Sequence, residues 1–177
     1  MRIIAGIAKG IPLVVPRDGT RPTSDRTREA VFSSLGERVS GANVLDLFAG
    51  TGALGLEAAS RGATSVTFVE KARPALQSLE RNLAMFHQGR EVTCDLDVER
   101  GDVFAWLARQ ADSSRQFSLI FADPPYGDAA QRLIEDARLP PLLAAAPETF
   151  TPGVPSLPLA GWLQTESPGG MVSHGPH

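Results

Sequence analysis

The chain predicts an α/β fold, a doubly wound and mostly parallel sheet preceded by an N-terminal β-hairpin. Three observations carry that expectation. Short apolar runs alternate with helix-length segments from Val44 to Ala122, the pattern of a sheet covered by helices on both faces through right-handed crossovers. The first run, Val44 to Phe48, leads straight into Gly50, Gly52 and Gly55, and the last, Phe117 to Ala122, ends in Asp123-Pro124-Pro125-Tyr126. Paired prolines cannot continue a central strand, so the second motif marks a strand's carboxyl end.

Taken in order, residues 2–15 predict the hairpin, turning at Lys9-Gly10, followed by an arginine-rich loop and a helix beginning near Thr23 with Asp25 in its favourable first turn. The strand Val44 to Phe48 and the glycine turn lead to a helix that runs to about Arg61 and stops at Gly62. Ser65 to Glu70 predicts the second strand and Ala72 to Phe86 the next helix, where Leu76, Leu79, Leu83 and Phe86 recur on one face. A strand near Glu91 to Val98, a helix over Val103 to Gln110 and the strand Phe117 to Ala122 complete the series. Residues 1–38 thus form a hairpin, basic loop and leading helix, and residues 39–138 the catalytic core, within one domain. Residues 139–177 hold eight prolines, no lysine or arginine, and only Glu148 and Glu166 as acids. Such a composition predicts an irregular tail that adds no strand to the sheet.

Asp123-Pro124-Pro125-Tyr126 is the richest chemistry. The Asp123 carboxylate and the Pro124 carbonyl can accept hydrogen bonds from an amino group, and Tyr126 offers a stacking face. Together they suit a flat ring bearing an exocyclic amine. Gly50, Gly52 and Gly55 let a ligand approach the backbone over a helix N-terminus, and Glu70, 20 residues after Gly50, can accept bonds from ribose hydroxyls. The glycine spacing alone would also suit a dehydrogenase. Asp46 favours another cofactor: its charge opposes a pyrophosphate but suits the amino and sulfonium groups of S-adenosylmethionine. It can equally tie down the glycine loop through backbone N–H groups. Asp102, after Gly101 at the end of the third strand, either joins Asp46, Glu70 and Asp123 along one sheet edge or caps the following helix.

The N-terminal segment Arg2-Ile3-Ile4-Ala5-Gly6, then Lys9-Gly10, Leu13 and Pro16, then Arg21 through Phe32, joined to the glycine and Asp-Pro-Pro-Tyr motifs, resembles the bacterial RsmD-type family of class I S-adenosylmethionine-dependent methyltransferases. The resemblance covers about residues 1–138. It implies a Rossmann-like methyltransferase sheet and methylation of the exocyclic N2 of a guanine in 16S ribosomal RNA, with S-adenosylmethionine as cofactor. It also implies catalytic roles for Asp123, Pro124, Pro125 and Tyr126, and cofactor binding by Asp46, Gly50, Gly52, Gly55, Glu70 and Asp102. Adenine N6 or another amino acceptor would fit the same motif, and loss of the C-terminal strands would leave an inactive RNA-binding remnant. Two departures stand out. Ile11 occupies a place where the family commonly has arginine, and the tail lacks runs for the expected last strands.

The chain of 177 residues has a net charge of −3, so any RNA surface must be local. Residues 1–28 supply one, with Arg2, Lys9, Arg17, Arg21, Arg26 and Arg28 against Asp18 and Asp25. Arg2, Lys9, Arg21, Arg26 and Arg28 are the expected RNA contacts, and 16S RNA or the small ribosomal subunit the expected partner. The single Cys94 excludes an internal disulfide and reads as a buried strand residue. No His/Cys cluster has metal-ligand spacing, so no metal is expected. No apolar stretch has the length of a membrane span. A monomeric cytoplasmic enzyme is the expectation.

Overall fold

The computed structural model describes residues 1–16, 24–89, 91–110, 113–124 and 128–143. Five helices and four strands alternate after an N-terminal arm: α1 (Asp25–Leu35), β1 (Asn43–Leu47), α2 (Ala53–Ser60), β2 (Ser65–Glu70), α3 (Arg73–His87), β3 (Asp95–Arg100), α4 (Val103–Gln110), β4 (Leu119–Ala122) and α5 (Asp128–Ile134). The strands form one parallel sheet in the order β3-β2-β1-β4. The predicted doubly wound class is what the chain adopts.

Period-two alternation distributes the strand side chains between two cores. Val44, Val66, Phe68 and Phe121 join Leu56, Leu79 and Phe86 with the N-terminal Ile3, Ile11 and Leu13. Leu45, Leu47 and Val69 join Trp106, Leu107 and Leu133 on the other face. Burying helices on both faces explains why β1 and β2 read as continuous apolar runs. Strand β3 is an edge, and its exposed Asp95, Asp97 and Arg100 discourage pairing with another chain.

Element boundaries moved where tertiary pairing outweighed local pattern. The third strand starts at Asp95 rather than Glu91, because its register is set by Ser65 opposite Asp95 and Glu70 opposite Arg100. Cys94 is buried one residue before it. The helix expected from near Thr23 starts at Asp25, with Ser24 as its cap, accepting from Thr27 N at 3.1 Å. The expected hairpin is reduced to one antiparallel bridge, Arg2 with Pro12, and the chain reverses over residues 5–10 rather than at Lys9-Gly10 alone. Helix α5 was not anticipated, since Asp-Pro-Pro-Tyr drew the reading toward a turn with nothing regular behind it.

The irregular tail expected from residue 139 does not begin there. Leu139 and Leu142 are buried in the second core, and Leu143 makes a parallel bridge with Phe117, whose N–H donates to the Leu142 carbonyl at 2.7 Å. An irregular tail was therefore the wrong expectation for residues 139–143, where Leu139 and Leu142, one 3-10 turn apart, face a core despite Pro140 and Pro141. The expectations for residues 144–177 lie outside the described residues.

Candidate functional site

The register of the sheet ends its strands side by side: Leu47 lies opposite both Val69 and Ala122, and Glu70 opposite Arg100. Phe48, Glu70, Asp102 and Asp123 therefore leave the sheet along one carboxyl edge, where ligands bind in open parallel sheets. Phe48 is the one non-glycine with positive φ among the described residues, at 58°. That unfavourable backbone turns the chain off β1 into the glycine loop.

The three glycines do different work. Gly55 is required by packing, because a Cβ there would stand 2.3 Å from a Phe68 ring carbon and 2.7 Å from a Val66 methyl. Gly52 combines φ of 77° with a Leu79 methyl 2.3 Å from its Cβ position. Gly50 has φ of 58° and open space, its nearest neighbour being the Phe48 carbonyl oxygen at 3.9 Å. The loop is thus clear where a cofactor would cross it and tightly packed where it enters α2.

Asp46 points from β1 toward α2 and is buried, its Oδ2 accepting from Gly55 N at 2.9 Å. That N–H belongs to the first turn of α2 and has no helical partner. Burial pushes the Asp46 carboxyl up to about 8 against the lowering effect of the Gly55 bond, and the charges of Asp123 and Glu70 push it further the same way. The loop-tying role expected of Asp46 is present, and a cationic ligand beside it would favour the ionised carboxylate.

Glu70 is equally committed to backbone. Its Oε2 accepts from Gly50 N at 2.8 Å, and its Oε1 from Lys71 N at 2.8 Å and Ala72 N at 2.7 Å. One carboxylate therefore joins the glycine loop to the β2–α3 turn. Asp102 caps α4 through Oδ1, accepting from Phe104 N at 2.9 Å and Ala105 N at 3.2 Å, while Oδ2 pairs with Lys71 Nζ at 2.9 Å. The Lys71 hydrogen bond is the chief cause holding its pKa below the usual carboxylate value. Asp123 is exposed at the end of β4 with Pro124 half-buried beside it. Pro125, Tyr126 and Arg21 lie outside the described residues.

Among the expected RNA contacts, Arg2, Lys9 and Arg26 are exposed, but Arg28 is not. Its side chain is fully buried, with Nη2 donating to the Arg2 carbonyl at 2.5 Å and to Asp25 at 2.7 Å. Nε and Nη1 have no partner among the described residues, and burial lowers its pKa despite Asp25. Arg28 is a clamp between α1 and the N-terminal arm, a correction that follows from its inward position on the helix beside Phe32.

Several residues that hold the N-terminal arm or the glycine loop carried no motif. Glu57, buried in α2, accepts from Ile4 N at 2.7 Å and Ala5 N at 3.1 Å, and Ser60 Oγ accepts from Ala8 N at 3.0 Å. Asn82 bonds both Val14 and Thr51. Its signal was present in the sequence, as a polar residue on the apolar face between Leu79 and Phe86.

Residues 1–144 match the family described as conserved hypothetical protein 95. The chain belongs to this RsmD-type methyltransferase family. It is 34% identical over 181 aligned positions to the ribosomal RNA small subunit methyltransferase D of Escherichia coli, covering 98% of this chain and 87% of that one. It is 40% identical over 127 residues to the putative rRNA methyltransferase YlbH of Bacillus subtilis, covering 71% of this chain and 67% of that one. Among solved structures, a hypothetical protein of Thermus thermophilus superposes with a TM-score of 0.68 at 32% identity, covering 82% of this chain and 81% of that one. A putative methylase of Haemophilus influenzae superposes with a TM-score of 0.63 at 31% identity, covering 82% and 76%.

Proposed function

We propose that the protein transfers a methyl group from S-adenosylmethionine to the exocyclic N2 of a guanine in 16S ribosomal RNA, acting in the cytoplasm on the RNA or the assembling small subunit. The observation that carries this reading is the exposed Asp123, with half-buried Pro124 beside it, emerging next to an open, acid-flanked glycine loop. The names of the Escherichia coli and Bacillus subtilis relatives support ribosomal RNA as the substrate.

The open face of Gly50 and the acidic surroundings of Asp46 suit the cofactor, which when bound supplies a methyl carbon on a positively charged sulfur. Glu70 would accept from a ribose hydroxyl with the remaining lone pair of Oε2, and Asp102 would line the adenine end from the start of α4. Asp46 would face the cationic end of the cofactor.

Guanine's amino nitrogen is a poor nucleophile because its lone pair is delocalised into the ring. Asp123 and the Pro124 carbonyl would each accept one of its N–H bonds, turning the lone pair toward the methyl carbon and localising it as the N–C bond forms and the C–S bond breaks. The bound cofactor would supply the sulfur that keeps the electron pair of that bond, and Asp123 would take the surplus amine proton and pass it to water. Tyr126 would stack on the base once it has left its helix.

Incubation with methyl-labelled S-adenosylmethionine and unmodified small-subunit RNA or particles, followed by nucleoside analysis, tests the reading. Label in N2-methylguanosine is the expected result. Label in adenosine, or no label with either substrate, would overturn it.

A further inference from the structure

Besides the Arg28 clamp to α1, side chains of α2 and α3 fasten the N-terminal arm to the core at three places. Glu57 holds Ile4 and Ala5, and Ser60 holds Ala8 through its hydroxyl and Ile7 through its carbonyl, the Ile7 N–H donating at 2.8 Å. Both anchors sit in the second half of α2, away from the glycine loop. Gly6 presses so closely there that a Cβ would lie 1.7 Å from the Ser60 carbonyl oxygen. The third fastening is different in kind.

Asn82 on α3 is fully buried. Its Oδ1 accepts from Val14 N at 2.7 Å, and its Nδ2 donates both to the Val14 carbonyl at 3.1 Å and to the Thr51 carbonyl at 2.9 Å. The amide orientation is determined by these partners, since the flipped form would set its oxygen against two carbonyls. A single side chain thus joins the far end of the arm to the glycine loop. Its two donors are divided between the two segments.

We infer that Asn82 is a positioning residue for methyl transfer, which makes the setting of the glycine loop and the placement of the arm's exit one event. The inference rests on the cofactor reading given above. The same amide thereby holds Val14, near the end of the described arm, against the Thr51 carbonyl at the cofactor edge. On the opposite side of the loop Glu70 fixes Gly50, so a ligand crossing Gly50 acts on a loop held from both sides. Movement at Thr51 is passed to Val14 through one rigid amide. Glu57 and Ser60 hold the arm without touching the loop, and they transmit nothing from it.

Hydrogen exchange of the full chain, followed by mass spectrometry with and without saturating S-adenosylhomocysteine, tests this. In the parent, the ligand should slow exchange over residues 49–56 and also over residues 11–16. In Asn82→Ala, with ligand binding verified by calorimetry, residues 49–56 should still respond while residues 11–16 lose their response. Ser60→Ala, which loosens the arm at its other end, should keep both responses. If Asn82→Ala does not fold, Asn82→Asp carries the same expectation, because it retains an acceptor for Val14 N–H and loses the donors. An equal arm response in the Asn82 variant, loss of the response in Ser60→Ala as well, or protection of the loop alone in the parent would overturn the inference and leave the cofactor reading intact. Failure of the parent to bind S-adenosylhomocysteine would overturn both.

Discussion

Two carboxylates at the carboxyl edge face opposite demands. Asp46 is buried and holds its proton to about pH 8, whereas Asp123 stands exposed where an acceptor amine would arrive. A carboxyl whose folded pKa lies above its unfolded value of about 3.9 stabilises the fold fully below that value and loses the contribution as pH rises through 8. Asp46→Asn mimics the protonated group and keeps an acceptor for Gly55 N–H. Its melting temperature should therefore gain on the parent's between pH 5 and pH 8.5, and thermal melts across that range would show a constant difference if Asp46 were ionised throughout. Asp123→Ala should abolish turnover while leaving the affinity for S-adenosylhomocysteine within about 0.5 kcal/mol, the range for a surface position away from the ligand. Calorimetry beside a methyl-transfer assay measures the two separately. Cofactor affinity falling in step with turnover would move Asp123 from the acceptor to the cofactor.

At the scale of elements, the glycine turn shows what a sequence reveals and what it withholds. The order of strands and helices was legible because β1 and β2 are apolar throughout and because Gly50, Gly52 and Gly55 punctuate the first crossover. The division of labour among those glycines was not, since the rings and methyls that crowd Gly55 come from β2 in space. The same limit hid Asn82, Glu57 and the inward turn of Arg28, whose partners lie 26 to 68 residues away along the chain. Helix α5 and the bridge of Leu143 to Phe117 were missed for a related reason. Prolines nearby argued against regular structure, while the burial of Leu133, Leu139 and Leu142 against Trp106 and its neighbours decided it. Gly55→Ala should destabilise the fold by about 1–3 kcal/mol, the usual cost of overpacking a filled interior. Gly50→Ala meets no atom and should cost about 1–2 kcal/mol through its left-handed backbone alone. Denaturant titration of both variants checks the pair, and Gly55→Ala at parental stability would show that Phe68 moves aside freely.

At the scale of the whole molecule, an acidic chain must bind a polyanion through a minority of its surface. The net charge is −3, and the carboxyl edge concentrates acids that suit a cationic cofactor but repel phosphate. Under the proposed function RNA would be gripped beside that edge rather than on it, and Arg2, Lys9 and Arg26, exposed on the N-terminal arm and α1, would serve that purpose. Arg28 belongs to the same cationic cluster in sequence and to a different one in space, since its guanidinium is engaged by the Arg2 carbonyl and Asp25 inside the fold. The two kinds of arginine should separate in one experiment. Replacing Arg2, Lys9 and Arg26 together with glutamine should weaken binding to small-subunit RNA and reduce the slope of log K against log salt by about 0.7–0.9 for each phosphate no longer neutralised, without lowering the melting temperature appreciably. Arg28→Met should do the reverse, lowering stability by about 1–3 kcal/mol because the Arg2 carbonyl and Asp25 lose their partner, while the salt slope of the folded fraction stays at the parental value. A flattened slope in Arg28→Met would mean that the arm opens on RNA and releases this side chain to phosphate.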